Sequence, residues 1–288
     1  MTMGMGSLIE QAARRLEQLR QAGVELPHIN GAELPQSGGA KAAHTSQSRR
    51  VEIDLERLAL AGFLTPLAPR SLIADQFRVV KRPLIRNAVG KHAADVARGK
   101  LIMVTSARAG EGKTFTAINL AMSLANELDT TVLLVDADVT RPSVMKVLGL
   151  PAGPGLLDLL CKDSVDLSDT LLRSNVEKLA LLPSGTPHAR ATEMLASDAM
   201  ARLLQDMASH YADRIIVFDS PPLLLATESR VLASQMGQIV MVVRAEATLQ
   251  SDVQDALSTI DSCPVRLMLL NQARKAATSG YDYGQADS

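Results

Sequence analysis

The chain is predicted to be an α/β protein, a mainly parallel sheet with helices on both faces, on three observations. First, from Gly99 to about Arg274 short apolar runs alternate with longer segments of helical pattern. Strands separated by helices read as βαβ units, which set parallel strands side by side under two layers of helix. Second, 47% of the 288 residues are hydrophobic and 21% charged, yet there is no Trp and only 4 Phe and 3 Tyr. A core of Leu, Val, Ile, Ala and the 12 Met suits strands buried on both faces better than an aromatic-rich sandwich. Third, the glycine-rich stretch "SARAGEGKT", Ser106 to Thr114, lies between the run "LIMVT" and a helical pattern beginning near Thr114.

Taken in order, residues 1–50 are expected to hold a short helix and a flexible linker. "SLIEQAARRLEQLRQ" places Leu8, Ile9, Ala12, Leu16 and Leu19 at helical spacing, either a docking face or a solvated arm. "PQSGGAKAAHTSQS" then reads as linker. Residues 51–274 are expected to form one domain. Its first part, about Val51 to Asn87, reads as helical and contains "ADQFRVVKRPLIRNA"; strands are expected at "KLIMVTS", "TVLLVDAD", "KLALLPSG", "RIIVFDS", "QIVMVVR" and "VRLMLLN". Tyr211, ahead of one of them, reads as a packing residue. Residues 275–288, "KAATSGYDYGQADS", are polar and expected to be a disordered tail.

Several classes are disfavoured. With 30 basic and 31 acidic residues the formal net charge is -1, which argues against nucleic acid as the main partner. Cys161 and Cys263 have neither metal-ligand nor disulfide-framework spacing, and read as buried reduced thiols of a cytoplasmic protein. The apolar runs are shorter than the roughly 18 residues a membrane helix needs, and the N-terminus lacks an apolar signal region. A cytoplasmic location follows as an expectation, any membrane link then coming through a partner.

"GEGKT" between strand and helix is the core of a phosphate-binding P-loop. Backbone N–H groups around Ala109, Gly110, Glu111, Gly112, Lys113, Thr114 and Phe115 are candidates to cradle a triphosphate at the helix N-terminus. Lys113 is expected to reach the β- and γ-phosphates of ATP, and the Thr114 hydroxyl to ligate Mg²⁺. The strict pattern asks for glycine where this chain has Ala107. A plain turn joining strand to helix would leave the lysine unexplained. Asp136 and Asp138 in "TVLLVDADVTRPS" and Asp219 in "DRIIVFDSPP" end two apolar runs, where strand ends of a parallel sheet converge on a ligand crevice. A single such Asp is commonly a helix N-cap. Three in one P-loop chain call for a cation, with Thr114, Asp136 and Asp219 as its expected holders.

The set "SARAGEGKT", "VLLVDADVTRPSV" and "RIIVFDSPPLL" resembles the bacterial tyrosine kinases, in detail the exosortase-associated polysaccharide-biosynthesis autokinases, over roughly Ala74 to Asn271. The resemblance implies a P-loop NTPase fold of the MinD/ParA branch with protein-tyrosine kinase activity. Lys113 and Thr114 match Walker A, Asp136 and Asp138 match Walker A′, and Asp219 matches Walker B. It also implies that Asp136 or Asp138 helps deprotonate the acceptor tyrosine, a phenol of pKa near ~10 that is a weak nucleophile at neutral pH. Asn271, ending "LMLLN", is expected either to contact the adenine base or to cap backbone.

Departures from the family pattern are visible. The arginine expected two residues after Asp-x-Asp is replaced by Thr140, with Arg141 one place later. Where MinD/ParA ATPases carry a signature lysine this chain has Arg108, either a finger toward a neighbour's phosphate or an ordinary loop residue. "DQFRVVK" resembles the family's subunit-contact motif, with Asp75, Arg78 and Lys81 at the matching places on one helix face, which either meets a neighbouring subunit or is a plain solvated face. The family's rings imply a homo-oligomer, and a membrane polysaccharide chain-length determinant as activator and recruiter to the inner membrane. Tyr281 and Tyr283, two of the 3 tyrosines, lie in the tail and are the expected phospho-acceptors. The competing readings are a MinD/ParA-type positioning ATPase without kinase activity and a nucleotide-gated adaptor without turnover.

Overall fold

The computed structural model describes residues 49–67, 70–89, 96–161, 165–210 and 214–274. The expected N-terminal helix and most of the linker, Tyr211 and the tyrosine-bearing tail lie outside the described residues; the last two residues of that expected segment, Arg49 and Arg50, are strand instead. Among the described residues eight strands form one sheet: β1 (Arg49–Val51), β2 (Leu101–Ser106), β3 (Thr131–Asp136), β4 (Leu172–Ser174), β5 (Leu179–Leu182), β6 (Arg214–Asp219), β7 (Gln238–Arg244) and β8 (Val265–Asn271). Their order is β1-β4-β5-β3-β6-β2-β7-β8. Every neighbouring pair is parallel except β4 with β5.

Alternating side chains of the central strands enter two cores. Ile102, Val104, Leu134, Val217 and Val240 face α1 (Leu55–Leu60), α2 (Leu72–Val89), α3 (Lys113–Ala125) and α4 (Val144–Leu148). Leu101, Met103, Val135, Phe218 and Met241 face α5 (Leu156–Cys161), α7 (Ala191–Leu195), α8 (Asp198–His210), α9 (Thr227–Ala233) and α10 (Gln250–Ser258), the short α6 (Leu167–Thr170) preceding β4. Burial on both faces is why these strands read as unbroken apolar runs rather than alternations.

Three expectations are corrected. The stretch from Val51 to Asn87 is not helical throughout: it opens on β1, turns into α1 and resumes as α2 only at Leu72. Neither β1 nor β4 was expected, because three-residue strands carrying Arg49, Arg50 and Arg173 have no apolar signature. They are held from outside the ladder, where Asn175 accepts from Ile53 N at 2.9 Å and donates to Ile53 O at 3.0 Å. Of the two thiols, both free, only Cys263 is buried; Cys161 is exposed at the end of α5.

The order β3-β6-β2-β7 places β6 between β2 and β3, although the chain runs from β2 through α3 to β3. The carboxyl ends of β2, β3 and β6 therefore meet at one crevice, with the N-terminus of α3 over it.

Candidate active site

The P-loop joins β2 to α3. Gly110 and Gly112 have φ of 83° and 94°, the left-handed region that side chains avoid. At Gly112 a Cβ would also meet the Asn271 amide nitrogen at 2.1 Å. No side chain caps α3, and among the described residues no backbone hydrogen bond engages the N–H groups of Ala109, Gly110, Glu111 or Gly112. An uncapped helix N-terminus with free amides is an anion site. Ala107, standing where the strict motif has glycine, is wholly buried and its methyl packs in the core.

Each flank of the loop is tied down. Glu111 is buried, and its carboxylate accepts from Arg108 N at 3.0 Å and from the Thr248 hydroxyl. Its side chain is thus a strut, leaving only its backbone to meet phosphate. Asn271 donates to Glu111 O at 3.0 Å and Gln272 to Gly110 O at 3.4 Å, so the end of β8 buttresses the loop. Arg108 makes a two-pronged pair with Asp252 of α10, at 2.5 and 2.8 Å, and holds that carboxyl below the usual carboxylate range. The Phe115 ring meets Phe63, centroids 4.9 Å apart, so its side chain packs and only its backbone N–H is a candidate for phosphate.

The expected functional residues converge. Lys113 Nζ lies 3.1 Å from Asp138 Oδ2. The Thr114 hydroxyl donates to Asp219 Oδ2 at 2.7 Å and lies 2.9 Å from the Ser143 hydroxyl. Asp136 Oδ2 accepts from Ser143 N at 3.1 Å and Val144 N at 3.0 Å, fastening the start of α4. Asp138 Oδ1 accepts from the Thr140 hydroxyl at 2.9 Å and from Arg141 N at 3.0 Å. Asp136, Asp138 and Asp219 are all buried. Burial, only partly offset by hydrogen bonds to Ser143 and Val144 N–H, pushes Asp136 up to about 7. Burial likewise pushes Asp219 up to about 7 against the pull of Lys113 and the Thr114 hydroxyl.

Two oxygens stand out. Asp136 Oδ1 and Asp219 Oδ1 are buried without a hydrogen-bond partner, an arrangement that costs several kcal/mol unless something occupies it. With the Thr114 hydroxyl they form an all-oxygen donor set that suits Mg²⁺. Among the described residues no three His, Cys, Asp or Glu side chains could hold a metal by themselves, so phosphate oxygens and water would complete such a shell. Ser143 was not foreseen, although a serine just before the apolar turn "VMKVL" reads as a helix start. Thr248 and Asp252 carry no local signal at all.

A cleft of about 810 Å³ adjoins Asp138, lined by Lys113, Asp138, Thr140, Arg141, Leu225 and Glu228 among others. The proposed contact residues Asp75, Arg78 and Lys81 are elsewhere, on α2. Asp75 and Arg78 are exposed and pair with each other at 2.5 Å. Lys81 is corrected as a candidate for reaching a neighbour: it is buried, donating to Ser123 O at 2.6 Å and pairing with Glu127 at 2.6 Å within its own chain. Its place on the helix turns it inward, against the C-terminal end of α3.

Comparison with known proteins agrees with this geometry. The model of the AAA domain family matches residues 99–273. Tyrosine-protein kinase CpsD of Streptococcus agalactiae is 31% identical over 189 residues, 64% of this chain and 80% of its own. Tyrosine-protein kinase YwqD of Bacillus subtilis is 29% identical over 217 residues, 75% of this chain and 87% of its own. Among solved structures the chimerical protein CapA2B2 aligns with a TM-score of 0.62 and 25% identity, over 77% of this chain and 93% of its own. No helix among the described residues is long and apolar enough to cross a membrane. A P-loop over three strand-end carboxylates, matched across most of its length by these kinases, places the chain in the bacterial tyrosine-protein kinase family, as a protein-tyrosine kinase built on a P-loop ATPase fold.

Proposed function

We propose that the chain is an autokinase that moves the γ-phosphoryl group of Mg-ATP onto Tyr281 and Tyr283 of a neighbouring subunit in a homo-oligomer. It would thereby regulate polysaccharide synthesis and export. A membrane polysaccharide chain-length protein would serve as activator and as the means of recruitment from the cytoplasm. The observation that carries this reading is the junction of Lys113 and Asp138, 3.1 Å apart, at the mouth of the cleft and in front of the two unpartnered carboxylate oxygens.

The division of labour follows from burial. Lys113 and the free amides of the loop bind and orient the phosphates. Thr114, Asp136 and Asp219 would hold Mg²⁺, which when bound would neutralise phosphate charge. Asp136 spends one oxygen on Ser143 and Val144 and lies behind the cleft, whereas Asp138 lines it. Asp138 is therefore the residue positioned to take the phenol proton. Its partner Lys113 shields it until the lysine turns to phosphate. In the transfer, the phenol oxygen forms the new bond to phosphorus, the bond from the γ-phosphorus to the bridging oxygen of ADP breaks, and the phenol proton passes to Asp138.

The tail supplies the acceptors by sequence: two tyrosines among polar residues, outside the kinase domain. The Tyr281→Phe, Tyr283→Phe double variant is expected to keep ATP hydrolysis and lose most phosphotyrosine. Each phosphate brings roughly -1.5 to -2 charges to a site already holding three aspartates, so wild type incubated with Mg-ATP should scatter light as a smaller species than the double variant. Undiminished phosphotyrosine in the double variant would show that the tail is not the acceptor. Hydrolysis without any phosphotyrosine, partner present, would return the positioning ATPase.

A further inference from the structure

Arg141 is a cation the nucleotide site leaves over. Its backbone N–H donates to Asp138 Oδ1 at 3.0 Å, so arginine and proposed base leave the same turn. Its side chain is exposed, lines the cleft, and makes no ion pair among the described residues. The phosphates already have Lys113. The same cleft has an apolar part: Leu225, 62% exposed, offers surface for a ring, and the buried Pro221 and Pro222 lie beneath the lining. Glu228, which also lines the cleft and accepts from the Thr192 hydroxyl at 2.7 Å, repels a carboxylate placed beside it. An acidic side chain entering with a tyrosine is thus driven toward Arg141.

We propose that Arg141 reads an acidic residue adjoining the acceptor tyrosine, while the exposed Leu225 receives the phenol ring. The preferred substrate class is a tyrosine peptide with a neighbouring carboxylate. This rests on the autokinase reading and adds its specificity. In this chain the residue is Asp282, which adjoins both Tyr281 and Tyr283. Consecutive Cα atoms are about 3.8 Å apart, an offset an arginine side chain covers when the phenol stands at Asp138. Guanidinium and carboxylate then meet in the two-pronged geometry that favours arginine over lysine.

The test uses the full chain, Mg-ATP and synthetic peptides of sequence SGYDYGQADS with Asp, Asn or Lys at the position of Asp282, scored by phosphotyrosine mass spectrometry. Wild type should favour the Asp peptide over the Asn peptide by about fivefold in kcat/KM, the upper range of an exposed pair. Arg141→Gln should erase that preference, and Arg141→Glu should reverse it toward the Lys peptide, a rescue that a merely structural role would not give. Equal preference in wild type and Arg141→Gln overturns the proposal. So does a fall in ATP affinity that slows all three peptides alike, which assigns Arg141 to the nucleotide. If wild type, with its membrane partner present, hydrolyses ATP and phosphorylates none of the peptides, the autokinase reading falls and the proposal with it.

Discussion

Two lysines in this molecule each meet a carboxylate away from solvent, and they answer to different demands. Lys81 pairs with Glu127 and also donates to Ser123 O, capping the last turn of α3. Its partners lie within its own chain, and Glu127 keeps 39% of its side chain in solvent. Lys113 pairs with Asp138 at the opposite end of the same helix, the two side chains 15% and 3% exposed. Behind that pair two further aspartates keep an oxygen each without a partner. One helix therefore carries a satisfied charge at its C-terminus and an unsatisfied cluster at its N-terminus. A buried pair marks function when the charges around it do not balance without a ligand.

The largest separation of the two ends is expected from Lys113→Met, which should cut phosphotransfer by about a hundredfold or more by removing the cation on the transferred phosphoryl group. Single-turnover assays with labelled ATP measure this. Lys81→Met should instead cost stability, by about 2 kcal/mol, since Glu127 and Ser123 O lose their partner at a partly exposed site. Urea unfolding followed by circular dichroism gives that number. A Lys81→Met protein that is fully stable would remove the contrast.

A second difference is pH dependence, carried by the N-terminal end. Unfolded, Asp136 and Asp219 ionise near 3.8; in the fold burial raises both to about 7. Between about pH 4 and pH 7 the native state keeps protons that the unfolded state has lost, so their contribution to stability declines as pH rises through that window. Asp219→Asn should flatten the decline in thermal melts of the ligand-free protein. A divalent cation needs both groups ionised, so Mg-ATP affinity should rise about tenfold or more from pH 6 to pH 8. Titration calorimetry in two buffers of different ionisation enthalpy would register the released protons. An affinity flat across that range would mean that these carboxylates do not hold the cation.

The smallest effect concerns the struts. Thr248→Val removes the hydroxyl on Glu111 and leaves that carboxylate with Arg108 N. The expected outcome is a rise of about threefold in KM for ATP with little change in kcat, because the loop loses order before binding rather than a contact in the transition state.

How far the sequence carried this reading depended on the range of the interaction. Central strands such as β3 and β6 were legible because burial on both faces forces an apolar run. The P-loop was legible because its glycines, lysine and threonine are neighbours in the chain. β1 and β4 were not, since Asn175 and Ile53, far apart in sequence, hold them. The aspartates could be placed at strand ends but not ranked: that Asp138 lines the cleft while Asp136 anchors Ser143 and Val144 is set by the turn after β3. The burial of Lys81 is not legible in the sequence, because three-residue spacing tells which face of a helix a residue shares and not what that face meets.

The contrast between the two lysines is tested most directly by phosphotyrosine mapping of wild type, Lys113→Met and Lys81→Met, each full length, folded and incubated with Mg-ATP. Phosphotyrosine on wild type and on folded Lys81→Met, with none on Lys113→Met, is the expected result. Phosphotyrosine on Lys113→Met at the wild-type level would contradict it.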